Sequence, residues 1–171
     1  MDWEKAFDRI AHNALFLSLE RLNIPTKLIN MIRALYRNPT FKVNIDGHFS
    51  NSYKQHTGIR QGCPLSPYLF VIFMTVLFHD VEKEVGKKVM DNCMDMVDFS
   101  NILYADDTFL VGKRSRELNR ILWAIEKHSS RYGMKLNKGK CVAINMGGKN
   151  VIKFKNGETM KQVEEATYLG G

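Results

Sequence analysis

The sequence predicts an α+β fold with a split βαβ, ferredoxin-like core: an antiparallel sheet with helices packed on it. Three observations lead there. Two apolar runs, Ile102-Leu103-Tyr104 and Phe109-Leu110-Val111, flank the acidic pair Asp106-Asp107 as the arms of a hairpin would. Helix-period stripes precede and follow that hairpin, and a short extended segment at Asp2-Trp3 opens the chain.

Each element follows from local pattern. From about Asn13 to Leu22, residues Leu15, Leu19 and Leu22 share one helical face, and Asn23-Ile24-Pro25 breaks the helix. A second helix carries the stripe Leu28, Ile32, Leu35 and ends at Asn38-Pro39. Phe41 to Ile45 alternates apolar with polar residues, Asp46-Gly47 is a turn signal, and Phe49 to His56 returns as the partner strand. Lys42, Lys54 and His56 decorate this hairpin; they can reach a phosphate backbone, but solvated strand residues account for them better.

Gly58 to Leu65 is a glycine-bounded loop, and Ser66-Pro67 is expected to give the N-cap of the next helix followed by proline at its first helical position. That helix, running to about Glu84, is apolar nearly all round and must be packed on several sides. Gly86 to Asp95 reads as a surface excursion before the acidic hairpin. Ser115 is expected to cap a helix with the stripe Leu118, Ile121, Leu122, Ile125 and Tyr132, stopped by Gly133. Cys141 to Met146 and Val151 to Phe154 read as strands around a Gly147-Gly148 turn. With Leu15 to His56 set aside as an insertion, the order becomes strand, helix, two strands, helix, strand. The strand at Asp2 then lies beside the central hairpin.

Composition narrows the function classes. A hydrophobic share of 44% and a charged share of 25% over 171 residues describe a folded chain, one domain or part of a larger one. A net charge of +7 favours an anionic partner, nucleic acid first. Cys63, Cys93 and Cys141 are odd in number and widely spaced, which argues against a zinc site or a disulfide framework and for a reducing, intracellular compartment. Nucleus and cytoplasm are not distinguished. No segment has the pattern of a signal peptide, and the longest apolar stretch, Tyr68 to Phe78, is too short to span a bilayer.

The acids carry the chemistry. Asp106 and Asp107 at a hairpin tip suit a hard cation such as Mg2+, although a polar turn explains the pair equally well on its own. With Asp2 brought alongside, three carboxylates on one sheet face would hold protons unless cations neutralised them. Two divalent ions about 3.5–4 Å apart do so and clamp both oxygens of an in-line phosphoryl displacement. Nucleotidyl transfer is the reaction such a site performs.

Five segments then resemble, in order, the palm motifs of reverse transcriptases. They are Asp2-Trp3-Glu4-Lys5-Ala6-Phe7-Asp8, Arg60-Gln61-Gly62-Cys63-Pro64-Leu65-Ser66-Pro67, Tyr104-Ala105-Asp106-Asp107, Gly133 to Lys140, and Tyr168-Leu169-Gly170. The wording is similar to that of the non-LTR, LINE-type retrotransposon enzymes. The resemblance implies a polymerase palm spanning residues 1–171 as a partial reverse transcriptase domain, with 11–57 as a helical and hairpin insertion belonging to the fingers and palm. Upstream fingers and a downstream thumb are expected to be absent from this stretch.

The resemblance also implies roles. Asp2 and Asp106 become the main metal ligands and Asp107 their supporting carboxylate, holding two Mg2+ ions, with Mn2+ as a substitute, and the Trp3 carbonyl completes a coordination shell. Phe7 becomes the gate that excludes a 2′-hydroxyl, Gln61 and Gly62 lie against the incoming nucleotide, and Arg60 meets phosphate or template, with an ordinary surface arginine as its equal alternative. Lys140 becomes the fourth-motif lysine near the leaving pyrophosphate, with Lys135 and Lys138 as alternatives. Tyr168, Leu169 and Gly170 guide the primer end, and Asp8 is read as structural. The implied partners are an RNA template, a DNA primer, dNTPs, and the fingers, thumb and endonuclease domains of a longer polyprotein; no membrane is implied. Activity of this stretch alone is expected to be weak or absent. The competing reading is a non-catalytic relic or repurposed nucleic-acid-binding module that keeps the palm.

Overall fold

A computed structural model describes residues 1–91, 101–104, 107–146 and 150–166. Among these the fold is mixed α+β. Helices α1 (Ala6–Arg9), α2 (His12–Arg21) and α3 (Thr26–Leu35) lead into four short strands, β1 (Thr40–Phe41), β2 (Asn44–Ile45), β3 (His48–Phe49) and β4 (Tyr53–Lys54). Helices α4 (Ser66–Val85) and α5 (Lys87–Asp91) follow, then strands β5 (Asn101–Tyr104) and β6 (Asp107–Leu110). The long helix α6 (Ser115–Arg131) and strands β7 (Val142–Ile144) and β8 (Lys161–Val163) complete the order.

The central helix is packed on two sides rather than all round, with Tyr68 and Val71 on an exposed face. Helix α4 packs against both α2 and α6, and Leu69, Phe70, Phe73, Met74, Leu77 and Val81 are buried along it. Helix α6 contributes Ile121, Leu122 and Ile125, and the Tyr132 ring meets Phe73 edge-on at 5.6 Å. Gly133 stops α6 at φ +84°, where an added Cβ would come 2.8 Å from the Arg9 carbonyl oxygen.

The 40–54 arm forms as the sequence suggests. Asn44 pairs with Phe49 and Ile45 with His48, across a two-residue turn in which Asp46 and Gly47 both have positive φ. Strands β1 and β4 continue the arm, and an isolated bridge joins Ala11 to Thr57.

Several local expectations are corrected. Helix α3 buries Ile29, half-buries Ile32 and ends on buried Tyr36, leaving Leu28 and Leu35 about half exposed. Both stripes have helical spacing, so periodicity could not choose between them; the position of α2 does. Ser66 and Ser115 are first helical residues rather than caps, because the preceding Leu65 and Arg114 take the cap positions. The Ser66 hydroxyl instead donates to the Arg60 carbonyl. Val151 to Phe154 is no strand: Lys153 bridges Thr159 around a turn closed by Gly157 N–H on the Phe154 carbonyl. Strand β7 is shorter than its predicted span and pairs in parallel with β8. The Gly86 to Asp95 excursion contains α5, which buries Met90; residues 92–100 and the Gly147-Gly148 turn lie outside the described residues.

The opening segment makes backbone bonds on both sides. Met1 exchanges two bonds with Thr108 of β6: its amine donates to the Thr108 carbonyl at 2.6 Å, and the Thr108 N–H returns to the Met1 carbonyl at 3.2 Å. On its other side, Glu4 N–H donates to the Lys135 carbonyl and Asn137 N–H to the Asp2 carbonyl, each at 2.9 Å, around the antiparallel bridge Trp3–Leu136. The neighbour order is therefore 135–137, 1–4, β6, β5. Residues 1–4 form only a bridge, not a full strand, because Lys5 turns the chain at φ 49° into α1. On the side away from β6, the neighbour of residues 1–4 is 135–137.

Candidate active site

Register decides where the acids go. A reciprocal pair of backbone bonds, such as that between Met1 and Thr108, sets two antiparallel residues directly opposite, and the next pair along is Asp2 opposite Asp107. Opposed residues share a face and stand close enough for their side chains to interact. Both acids are half-buried. In β5 and β6, Tyr104 pairs with Asp107, so the two-residue connection between them holds Asp106, which lies outside the described residues. Among the described residues no group of three metal-ligating side chains is assembled. The Asp2–Asp107 pair is the part of the expected triad that the structure brings together.

Three residues hold this pair in place: Trp3, which the sequence suggested only through its carbonyl, and Cys141 and Asn137, which it did not suggest. The buried Trp3 indole N–H donates to the Thr108 hydroxyl at 2.9 Å, tying the segment that carries Asp2 to the strand that carries Asp107. Cys141 is fully buried with its sulfur 3.5 Å from the Asp2 backbone nitrogen, and burial pushes its thiol pKa up. Asn137 caps the Asp2 carbonyl. Only their places in buried motifs could have hinted at these roles.

Phe7 and the Gln61 loop meet across α1. The Phe7 ring stacks on Phe70 of α4 at 4.5 Å, and the Phe7 carbonyl accepts the Ile59 N–H at 2.7 Å. Gly58 makes that approach feasible: at φ +90°, a Cβ there would stand 2.8 Å from Asp8 backbone atoms. Asp8, read as structural, positions the loop, because its Oδ1 accepts the Gln61 side-chain amide at 3.1 Å. Gln61 and Arg60 line an open cleft of about 640 Å³ together with Asp8, Phe41 and Gln55. Gly62 sits exposed at φ +81°. Arg60 is exposed, while the buried Tyr36 behind the loop has its phenol pKa pushed up by burial, against a hydrogen bond with the Arg60 backbone.

The three fourth-motif lysines separate. Lys135 stands 3.8 Å from Glu4, and Lys138 lies 3.5 Å from Glu126 and over the Phe154 ring. Lys140 is exposed, with no ion-pair partner among the described residues, one residue before the cysteine that packs on Asp2. Tyr168, Leu169 and Gly170 lie outside the described residues. No helix of the described residues is long and apolar enough to cross a membrane.

A family model described as reverse transcriptase (RNA-dependent DNA polymerase) matches residues 1–171. The chain is 29% identical, over 99% of its length, to the retrovirus-related Pol polyprotein from type-2 retrotransposable element R2DM of Drosophila melanogaster, of which it covers 17%. It is 27% identical to the RNA-directed DNA polymerase from mobile element jockey of the same organism, covering 99% of this chain and 19% of the relative. It is 26% identical to the transposon TX1 149 kDa protein of Xenopus laevis, covering 88% of this chain and 11% of the relative. The chain thus spans a short portion of these relatives. Together with the match over its whole length, this shows that the chain belongs to the reverse transcriptase family of non-LTR retrotransposons.

Proposed function

We propose that this chain forms the palm of an RNA-templated DNA polymerase that adds dNTPs to the 3′-hydroxyl of a DNA primer. The neighbour order 135–137, 1–4, β6, β5 supports a ferredoxin-like palm, with 11–57 as the insertion closed by the Ala11–Thr57 bridge. The observation that carries the catalytic reading is the opposition of Asp2 and Asp107, enforced by the Met1–Thr108 and Trp3–Thr108 bonds.

Asp2, Asp107 and Asp106 are the residues that would hold two divalent ions; carboxylates grouped in this way fit hard cations. When bound, Mg2+ supplies charge neutralisation to the attacking and leaving oxygens. The protein supplies the rest. The Phe7 ring, held against Phe70, presents a rigid wall to the sugar, where a 2′-hydroxyl would collide. Gln61, aimed by Asp8, offers a donor and an acceptor at the nucleotide, and Gly62 lets the backbone approach. Lys140 provides a mobile cation for charge developing on the leaving group. The template, the primer and the remaining parts of a longer polyprotein are its partners in this reading.

Primer extension on an RNA template, with Asp107→Asn as the control, tests the proposal. Extension by the wild-type chain that falls at least a hundredfold in the variant supports it. Equal silence of both, with primer-template still bound, overturns it in favour of a non-catalytic binding module.

A further inference from the structure

A second cleft, of about 470 Å³, lies between α6 and the turn at residues 154–157, and it shares no lining residue with the cleft beside Gln61. Lys127 and Arg131 from α6, Lys138, and Lys155 from the turn line it. One lining carboxylate faces them, Glu126, and its charge is used internally: it accepts the Lys155 backbone N–H at 2.6 Å and lies 3.5 Å from Lys138 Nζ. Lys127 pairs with Glu84 at 2.8 Å. Arg131 and Lys155 have no ion-pair partner among the described residues, so the cleft keeps a positive field.

The cleft is fixed rather than improvised. The Asn119 side chain accepts the Lys153 N–H at 2.8 Å, the Trp123 indole donates to the Lys153 carbonyl at 2.8 Å, and Glu126 completes the clamp. These three side chains, spaced along one face of α6, hold the turn so that Lys155 stands beside the helix. The ordering cost of bringing the cations together is thus met by the fold, before any ligand arrives. Lys127 and Arg131 are four residues apart, about 6 Å along the helix axis, a step comparable to that between phosphates of one strand.

We propose that this cleft is a second nucleic-acid site, which takes the phosphodiester backbone of single-stranded RNA through Arg131 and Lys155, apart from the acids at Asp2 and Asp107. Phosphate contacts of this kind give affinity without sequence preference and release counterions on binding. An acidic peptide is less suited, because its carboxylates are carried on side chains at no fixed spacing.

The test is fluorescence-anisotropy titration of the full chain with a labelled single-stranded RNA across a salt series. In the Arg131→Glu, Lys155→Glu double variant, affinity should fall about tenfold and the slope of log K against log salt by about 1.4. Thermal unfolding should be unchanged; if charge reversal disturbs it, Arg131→Gln with Lys155→Gln gives the same reading. A control away from both clefts, Lys27→Gln with Lys87→Gln, should keep the wild-type affinity and slope, and primer extension by the Arg131, Lys155 double variant at saturating primer-template should match the wild type, which separates failure of this site from failure of the catalytic proposal. Unchanged affinity and slope in the double variant overturn the site. So does loss confined to DNA of the same sequence, or displacement of RNA by polyglutamate as effective as by unlabelled RNA.

Discussion

Trp3 donates its indole N–H to the hydroxyl of Thr108 at 2.9 Å, and both side chains are buried. These residues follow Asp2 and Asp107, so one side-chain bond fixes the register that sets the two acids opposite each other. Removing either partner leaves a buried polar group unsatisfied, at a cost of about 1–3 kcal/mol. Thr108→Val should lower stability by that amount in urea unfolding. Trp3→Phe should cost more through lost packing, and a double-mutant cycle should show coupling between them. Additive losses would mean that the bond does not hold the two segments.

Gly58 is the second point of close approach. Gly58→Ala forces a Cβ against Asp8 Cα and the Phe7 carbonyl at a backbone angle that side chains resist. A loss of about 2 kcal/mol or more is expected. Because Asp8 holds Gln61, KM for dNTPs should rise in Gly58→Ala more than in a surface substitution of equal stability cost.

Asp80 gives a pH signature. Arg21 donates to both its oxygens from α2, Tyr132 is a further donor, and together they hold its pKa at about 2 against the opposing effect of burial. The folded pKa lies below the ordinary aspartate value of 3.8, so the unfolded chain binds more protons between those values. The stabilisation, about 2 kcal/mol, is therefore fully present above pH 4 and lost as pH falls through 2. Urea midpoints should drop over that window in the wild type and stay flatter in Asp80→Asn. A variant as steep as the wild type would place the acid sensitivity elsewhere.

Phe7→Val should admit ribonucleotides: in single-nucleotide extension, the preference for dNTP over rNTP should narrow at least tenfold. The same change removes the stack on Phe70, so a modest stability loss should accompany it. Unchanged sugar discrimination would leave Phe7 as a packing residue only.

Lys140→Ala should lower kcat about a hundredfold with little change in KM. Lys138→Ala should act mainly on stability, because that amine is engaged by Glu126 and Phe154. The reverse ranking would exchange their roles.

Sequence carried much of this protein. The Asp46-Gly47 hairpin, a hairpin at the acidic pair, and α4 and α6 follow from turn chemistry and apolar period, which are local properties, whereas both acids were expected at the hairpin tip and Asp107 instead opens β6 opposite Tyr104. The motif order identified the family, because residue types at an active site are constrained by chemistry rather than by packing. Tyr168, Leu169 and Gly170 rest on that resemblance.

Tertiary structure decided what local pattern leaves open. Helix α3 has two stripes of equal period, and the placement of α2 buries Ile29 rather than Leu28 and Leu35. The segment beside Asp2 on the side away from β6 is 135–137, where the Asn137 N–H meets the Asp2 carbonyl. Which lysine remains unpaired depends on Glu4 and Glu126, more than a hundred and about a dozen residues away respectively. The sequence by itself determined the family and the acids. The contact between Trp3 and Thr108, 105 residues apart, determined that two of those acids face each other, since register across such a distance is set by packing and not by any neighbour in the chain.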